Sequence, residues 1–264
     1  MDLGLKGKVA IALAASKGLG RASATALAAE GAAVVIGARS VQVLEETARH
    51  IQSETGSRVV AVPTDVTKPE DLEAIVAVAV REFGYVDILV NNAGGPPPGT
   101  FEKFGDEQWL AAFELNLLSA VRMIRLVLPH MRKRGGGRII NIVSTSVKQP
   151  IDGLLLSNAI RASVVGMAKT LSIELALDNI TVNNVCPGRI LTDRIRQLYQ
   201  LREKREQGIS EEDALKEAAR DIPMQRIGKP EELGALVAFL ASEQAAYITG
   251  TTIQVDGGLT RSLL

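Results

Sequence analysis

Residues 14–21 read Ala14-Ala15-Ser16-Lys17-Gly18-Leu19-Gly20-Arg21, between an apolar run and a helical pattern. Glycines in a strand-to-helix turn let the backbone approach a pyrophosphate, and the helix start supplies free N–H groups and a favourable dipole. The contacts expected of such a turn fall on Ala14, Ser16, Lys17, Gly18, Leu19 and Gly20. A lone G-x-G is weak evidence, and its place after the first strand strengthens it. The end of the second strand selects the nucleotide. A carboxylate there bonds the ribose 2′-hydroxyl of NAD, but the chain reads Gly37-Ala38-Arg39-Ser40. Arg39, with Lys17 beside it, suits a 2′-phosphate. The expected cofactor is therefore NADP, with NAD the less favoured alternative. The two histidines, His50 and His130, and the single Cys186 lie far apart in sequence, so no metal site is expected.

These residues must be positioned by a sheet. Apolar runs at Lys8–Ala14, Ala33–Ala38, Arg58–Pro63, Val86–Asn91, Arg138–Ser144, Ile180–Cys186 and Thr251–Val255 are continuous rather than alternating. Strands read so when a parallel sheet is covered on both faces. Helical patterns fall between them, at roughly 18–30, 40–55, 69–83, 106–133, 155–178 and 230–242, with Thr67 a candidate cap. The expectation is one α/β domain over 1–264: a doubly wound, parallel, seven-stranded Rossmann-type sheet with helices on both faces. Ligands then bind beyond the carboxyl ends of the strands. The one long irregular region, at about 188–229, has a charged, helix-compatible centre at 202–206, read as a solvated helix or as a mobile lid over the active site, two readings that are compatible.

Composition excludes several classes. The 264 residues carry 30 Lys+Arg against 30 Asp+Glu, a balance with no field for nucleic acid or an anionic membrane. No apolar run approaches the ~18 residues of a membrane span. Val9–Ala15 behind Lys6 and Lys8 superficially resembles a leader, but a buried first strand is the expected reading. One cysteine fits a reducing compartment, so a cytoplasmic location is expected.

The order and spacing of further motifs resemble the short-chain dehydrogenase/reductase family, in the branch that includes bacterial 3-oxoacyl-carrier-protein reductases. They are Asp65-Val66, Asn91-Asn92-Ala93-Gly94, Asn116 within Glu114–Leu117, Gly137–Ser144, Pro187-Gly188, Thr192-Asp193 and Ile248–Gly250 to Asp256–Gly258. The resemblance implies that Asp65 and Val66 contact the adenine, and that Asn92, Ala93 and Gly94 line the ribose and cleft floor. It gives Pro187, Gly188, Ile190 and Thr192 to the nicotinamide and phosphates. It also implies a homo-oligomer, a tetramer, paired through the helices near 106–133 and 155–178.

The chain departs from that family twice. Leu13-Ala14 replaces the Thr-Gly that opens the glycine turn. The family's catalytic group is Asn, Ser and Tyr-x-x-x-Lys. Asn116 and Ser144 match, but Ser157 stands for Tyr and Arg161 for Lys. Tyr, with an ordinary pKa near ~10, is lowered toward neutrality by a neighbouring cation; a serine hydroxyl is a far poorer acid. Arg161 lies one turn from Ser157 on the same face and can bond ribose hydroxyls, but it does not relay a proton. Three readings follow. The chain is an NADP(H)-dependent oxidoreductase on a carbonyl or alcohol with an altered catalytic group, Ser146, Lys148 or Tyr199 being candidate acids. Alternatively it is a catalytically inactive dinucleotide-binding sensor or partner subunit, or it catalyses dehydration or elimination. Leu154–Leu156, Ile190, Leu191, Ile195 and Leu198 lend the cleft an apolar character, suited to a small hydrophobic carbonyl compound.

Overall fold

The computed structural model describes residues 2–193, 195–196 and 210–263. Seven strands form one sheet: β1 (Val9–Leu13), β2 (Ala33–Ala38), β3 (Val59–Pro63), β4 (Ile88–Asn91), β5 (Gly137–Ile142), β6 (Ile180–Pro187) and β7 (Thr252–Val255). Their spatial order is β3-β2-β1-β4-β5-β6-β7 and every pairing is parallel. Chain order reverses between β1 and β4, and the crevice of a doubly wound sheet opens there.

Alternate strand residues face two separate cores, which is why the strands read as unbroken apolar runs. Ala10, Ala12, Val34 and Ile36 pack with helices α1 (Gly18–Ala29), α2 (Val41–Thr55) and α8 (Pro230–Ala241). Ile11, Leu13, Val35 and Ile139 pack with α3 (Pro69–Phe83), α5 (Ser119–Arg134) and α6 (Leu155–Glu174). Glycine lets two helices of the first layer meet closely: a Cβ at Gly234 of α8 would lie 2.6 Å from the Ala22 carbonyl of α1.

The expected single helix over 106–133 is divided. It comprises α4 (Asp106–Phe113), a π-helical turn (Glu114–Leu118) and α5. The cause sits inside the turn: Asn116 is buried and its Nδ2 donates to the Gly94 carbonyl at 2.9 Å. Such π-turns frequently mark functional positions. The helix expected over 155–178 ends at Glu174, and a 3-10 turn (Ala176–Asp178) follows, closed by Asn179 at φ +56°. Several strand ends also move by one or two residues. The fifth strand ends at Ile142, Val143 N still bonds Val185 O of β6 at 2.9 Å, and Ser144 caps a short 3-10 turn. Thr67 is not the cap of α3. Lys68 holds that position, and the Thr67 hydroxyl donates to Asp65 Oδ1 instead. The region expected to be irregular contains α7 (Glu211–Ala219), capped by Ser210, whose Oγ accepts from Asp213 N. The centre of the expected lid, with Leu198 and Tyr199, lies outside the described residues. Among the described residues no helix is long and apolar enough to cross a membrane.

One feature of the sheet has no counterpart in the sequence reading. Asn91, Asn141, Asn184 and Thr252 stand in register on β4 to β7. Their side chains link in one direction: Asn91 Nδ2 to Asn141 Oδ1 at 2.9 Å, Asn141 Nδ2 to Asn184 Oδ1 at 3.0 Å, Asn184 Nδ2 to Thr252 Oγ1 at 3.1 Å. Buried amides are costly unless paired, so the ladder locks the strands that carry the site. Replacing Asn141 by Leu orphans Asn91 Nδ2 and Asn184 Oδ1. A loss of about 2–4 kcal/mol in urea denaturation is expected, from about 1–3 kcal/mol per orphaned group.

Candidate active site

The glycine turn sits at the carboxyl end of β1, at the head of α1. Lys17 occupies the N-cap position of α1 without a side-chain hydrogen bond. The amides of Gly18, Leu19 and Gly20 precede the first intrahelical bond, Arg21 N to Lys17 O at 3.3 Å, so they have no acceptor within the helix. A Cβ at Gly20 would lie 2.4 Å from the Ala14 carbonyl, so only glycine brings the helix this close. These free donors and the side-chain-free cradle fit the pyrophosphate of a dinucleotide.

Ala14 pays for its methyl: it adopts φ +47°, the left-handed region. Thr47 of α2 donates its Oγ1 to the Ser16 carbonyl at 2.8 Å, and Ala15 N bonds Gly37 O at 3.0 Å. Leu13 itself is buried in the second core.

Arg39 is exposed just beyond β2, with no carboxylate at ion-pair distance among the described residues. Asp65 lies within electrostatic reach of it. The Thr67 backbone N–H, set against partial burial and aided by the Thr67 hydroxyl, holds the Asp65 carboxyl below its ordinary value. Val66 is buried beside it. Lys17 is placed differently from expectation: its Nζ lies 3.3 Å from Asp193 Oδ2, across the turn, in an exposed ion pair.

A cleft of 350 Å³ brings together Ala14, Gly18, Leu19, Asn92, Ala93 and Gly94 on one side with Pro187, Gly188, Ile190 and Thr192 on the other. Ser144, Ser157 and Arg161 line its inner end, and Leu154, Pro96 and Ile195 its apolar walls. Ser16 and Lys17 open onto a wider groove of 880 Å³ over α1 and α2. Gly20, Arg39, Asp65 and Val66 line neither space. The wider groove is lined by none of Ser144, Ser157 and Arg161, and the smaller cleft is the candidate site.

Within the cleft, Ser157 and Arg161 are both 8% exposed. Arg161 Nη1 donates to Ile142 O at 3.2 Å and Nη2 to Gly94 O at 3.4 Å. Ser157 Oγ lies 3.4 Å from Ser146 Oγ, while Ser144 Oγ accepts from Ser146 N at 3.1 Å. Asn116 stands behind this group, in a small cavity that it shares with Arg161, and its Oδ1 is a buried acceptor without a partner among the described residues. Lys148 does not line the cleft. Burial pushes the Cys186 thiol up to about 12, so it stays protonated and inert at neutral pH.

The walls are braced. Gly99 N donates to Gly153 O at 2.7 Å, joining the Pro96–Pro98 loop to the segment before α6. Asn158 clasps Ile151 with both amide atoms, Nδ2 to its carbonyl at 3.0 Å and Oδ1 from its N–H at 3.2 Å. Four contacts escaped the sequence reading: the Asn91–Asn141–Asn184 ladder, Thr47 on the turn, Asp193 on Lys17, and Asp71, which accepts from Asp65 N at 2.7 Å. Asn recurring at equivalent places in successive strands was the legible signal for the first. Thr47 on the turn and Asp193 on Lys17 join segments remote in sequence.

A parallel doubly wound sheet, with an uncapped helix and glycine turn at its switch point, defines a Rossmann-type protein. The chain belongs to the short-chain dehydrogenase/reductase family. The family profile described as Enoyl-(Acyl carrier protein) reductase matches residues 13–260. The chain is similar to 3-oxoacyl-(acyl-carrier-protein) reductase FabG of Vibrio cholerae, 38% identical over 97% of this chain and 99% of that one. It is likewise similar to human dehydrogenase/reductase SDR family member 4, 38% identical over 96% and 88% of the two chains. Among solved structures, L-sorbose reductase of Gluconobacter frateurii, complexed with NADPH and L-sorbose, superposes with a TM-score of 0.96 at 39% identity, covering 100% of both chains.

Ala14→Gly removes the left-handed methyl strain of roughly 1–2 kcal/mol, offset by the ~0.4–1 kcal/mol entropy of a freer unfolded chain. Thermal and urea unfolding are expected to show a net gain of about 0.5–1 kcal/mol.

Proposed function

We propose that the chain is an NADPH-dependent carbonyl reductase in which the Ser157–Arg161 pair replaces the acid–base group of its family. One observation carries this reading: Ser157, Ser144 and Arg161 face one cleft with the coenzyme-side residues, and Arg161 is fixed by two backbone carbonyls. NADPH supplies a hydride to the substrate carbon. The chain's residues handle the oxygen. The Arg161 guanidinium places a permanent positive charge where the alkoxide develops, and Ser144 orients the carbonyl. The Ser157 hydroxyl donates the proton and is reprotonated through Ser146, its hydroxyl neighbour, which passes on a proton taken up from solvent. Without an acid matched to neutral pH, this delivery is slow. The apolar walls suit a small hydrophobic carbonyl compound, while the L-sorbose reductase likeness adds ketoses to the compounds to test.

The cofactor preference rests on Arg39, the exposed cation beyond β2 without a neighbouring ion-pair carboxylate. The exposed apolar residues Leu110 and Phe113 of α4, Ile173 and Leu177, with the small exposed Ala159, Ala162, Ser163 and Gly166 of α6, support assembly into a homotetramer. Light scattering at micromolar concentration is expected to give four chains, and a monomer overturns that assembly.

By calorimetry NADPH is expected to bind more tightly than NADH, and Arg39→Asp to reverse the order at a cost of about 1.5–3 kcal/mol. Steady-state NADPH oxidation with ketones, ketoses and 3-oxoacyl thioesters is expected to be slow for the native chain. Ser157→Tyr with Arg161→Lys is expected to raise it by about tenfold or more, part of the ~10²–10⁴ that a matched general acid contributes. Tight NADPH binding with no turnover in either protein would instead favour the dinucleotide-binding sensor.

A further inference from the structure

At the opposite, amino-terminal end of the sheet, where β1, β4 and β5 begin, lies a second polar cavity of 130 Å³. Lys8, Arg134 and Arg138 line it with Asp87 and Glu243. Three cations thus share two carboxylates. Asp87 is fully engaged: Oδ2 accepts from Val9 N at 2.8 Å and Oδ1 from Arg134 Nε at 3.2 Å. Glu243 is exposed and sits 3.1 Å from Lys8 Nζ but 3.7 Å from Arg138 Nη2.

Arg138 is the unusual member. It is only 7% exposed. Its Nε and Nη1 donate to the carbonyls of Ser242, Gly137 and Asn179 at 3.0–3.5 Å, which fix the guanidinium plane. Its Nη2 makes no hydrogen bond among the described residues. Burial pulls the guanidinium below its ordinary value, and distant Glu243 opposes this only in part. A buried charge normally has a close partner. The end of α5 adds partial negative charge nearby, of which the Met131 and Arg132 carbonyls are taken by Gly136 N and Gly135 N.

We infer that this cavity is a binding site for a tetrahedral oxyanion, inorganic phosphate or a terminal phosphoryl group, held by Arg138 Nη2 and Lys8 with Glu243 as the side chain it displaces. The volume is several times the minimum for a single water. The site is separate from the cleft and independent of the coenzyme reading.

Thermal unfolding in sodium phosphate, against sodium chloride at matched ionic strength and pH 7.5, tests this. Phosphate is expected to raise the native Tm by about 3 °C more than chloride. Lys8→Gln, a change at a partly exposed side chain, is expected to reduce that increment by at least half. Glu243→Gln is expected to lower the Tm in chloride, because cations lose a partner, and to enlarge the phosphate increment, because a competitor is gone. A methyl phosphate arm separates the two sources: an equal increment means a terminal phosphoryl group is accepted, and a lost one means free phosphate alone. Phosphate bound at the glycine turn would stabilise all three proteins equally. That result, or equal Tm values in phosphate and chloride, overturns the inference.

Discussion

Arg161 holds the candidate site together. Its guanidinium reaches from α6 to the last carbonyl of β5, Ile142, and to Gly94 in the loop after β4. Three elements that converge only in the folded state are thereby fixed to one planar group. Asn116 reaches the same Gly94 carbonyl from the π-turn, so a single backbone oxygen registers both sides of the cleft. A lysine in this position would offer one nitrogen on a flexible stem. The planar fork spans two acceptors at once and holds its charge in a fixed geometry.

The fold was legible because its determinants are local or periodic. Continuous Val, Ile and Ala runs follow directly from burial on both faces, and β2 lies at the predicted residues. The break at Glu114–Leu118 was not legible, since residues 106–133 keep a helical pattern throughout. What opens the turn is a side chain bonding to a loop 22 residues away. The cleft was largely legible for the same reason as the fold: in a parallel sheet, residues just past successive strands must converge. Ser144, Ser157 and Arg161 accordingly share one space with Asn92–Gly94 and Pro187–Gly188. Side-chain direction was not legible. Lys17 reaches for Asp193 rather than toward Arg39, because that choice depends on how the segment after β6 lies across the turn.

The glycine turn shows how a departure in sequence is absorbed. Ala14 accepts a left-handed backbone, and Thr47 from α2 fastens the turn through the Ser16 carbonyl. Gly20 remains glycine, for there a Cβ would meet a carbonyl and not open space. The turn tolerates change where strain is small, and resists it where two backbones meet.

The amide ladder from Asn91 to Thr252 has a polarity: every amide donates toward β7, and Asn141 and Asn184 accept from the β4 side, while Asn91 Oδ1 has no partner among the described residues. A chain of aligned dipoles of this kind is cooperative, each bond polarising the next. Its members therefore do not vary independently. Losing the central amide, Asn141, leaves a donor on β4 and an acceptor on β6 stranded, and no single replacement repairs both. Descendants of this sequence should keep all three asparagines or exchange them together for apolar residues, so that positions 91, 141 and 184 drift as one unit though 50 and 43 residues separate them.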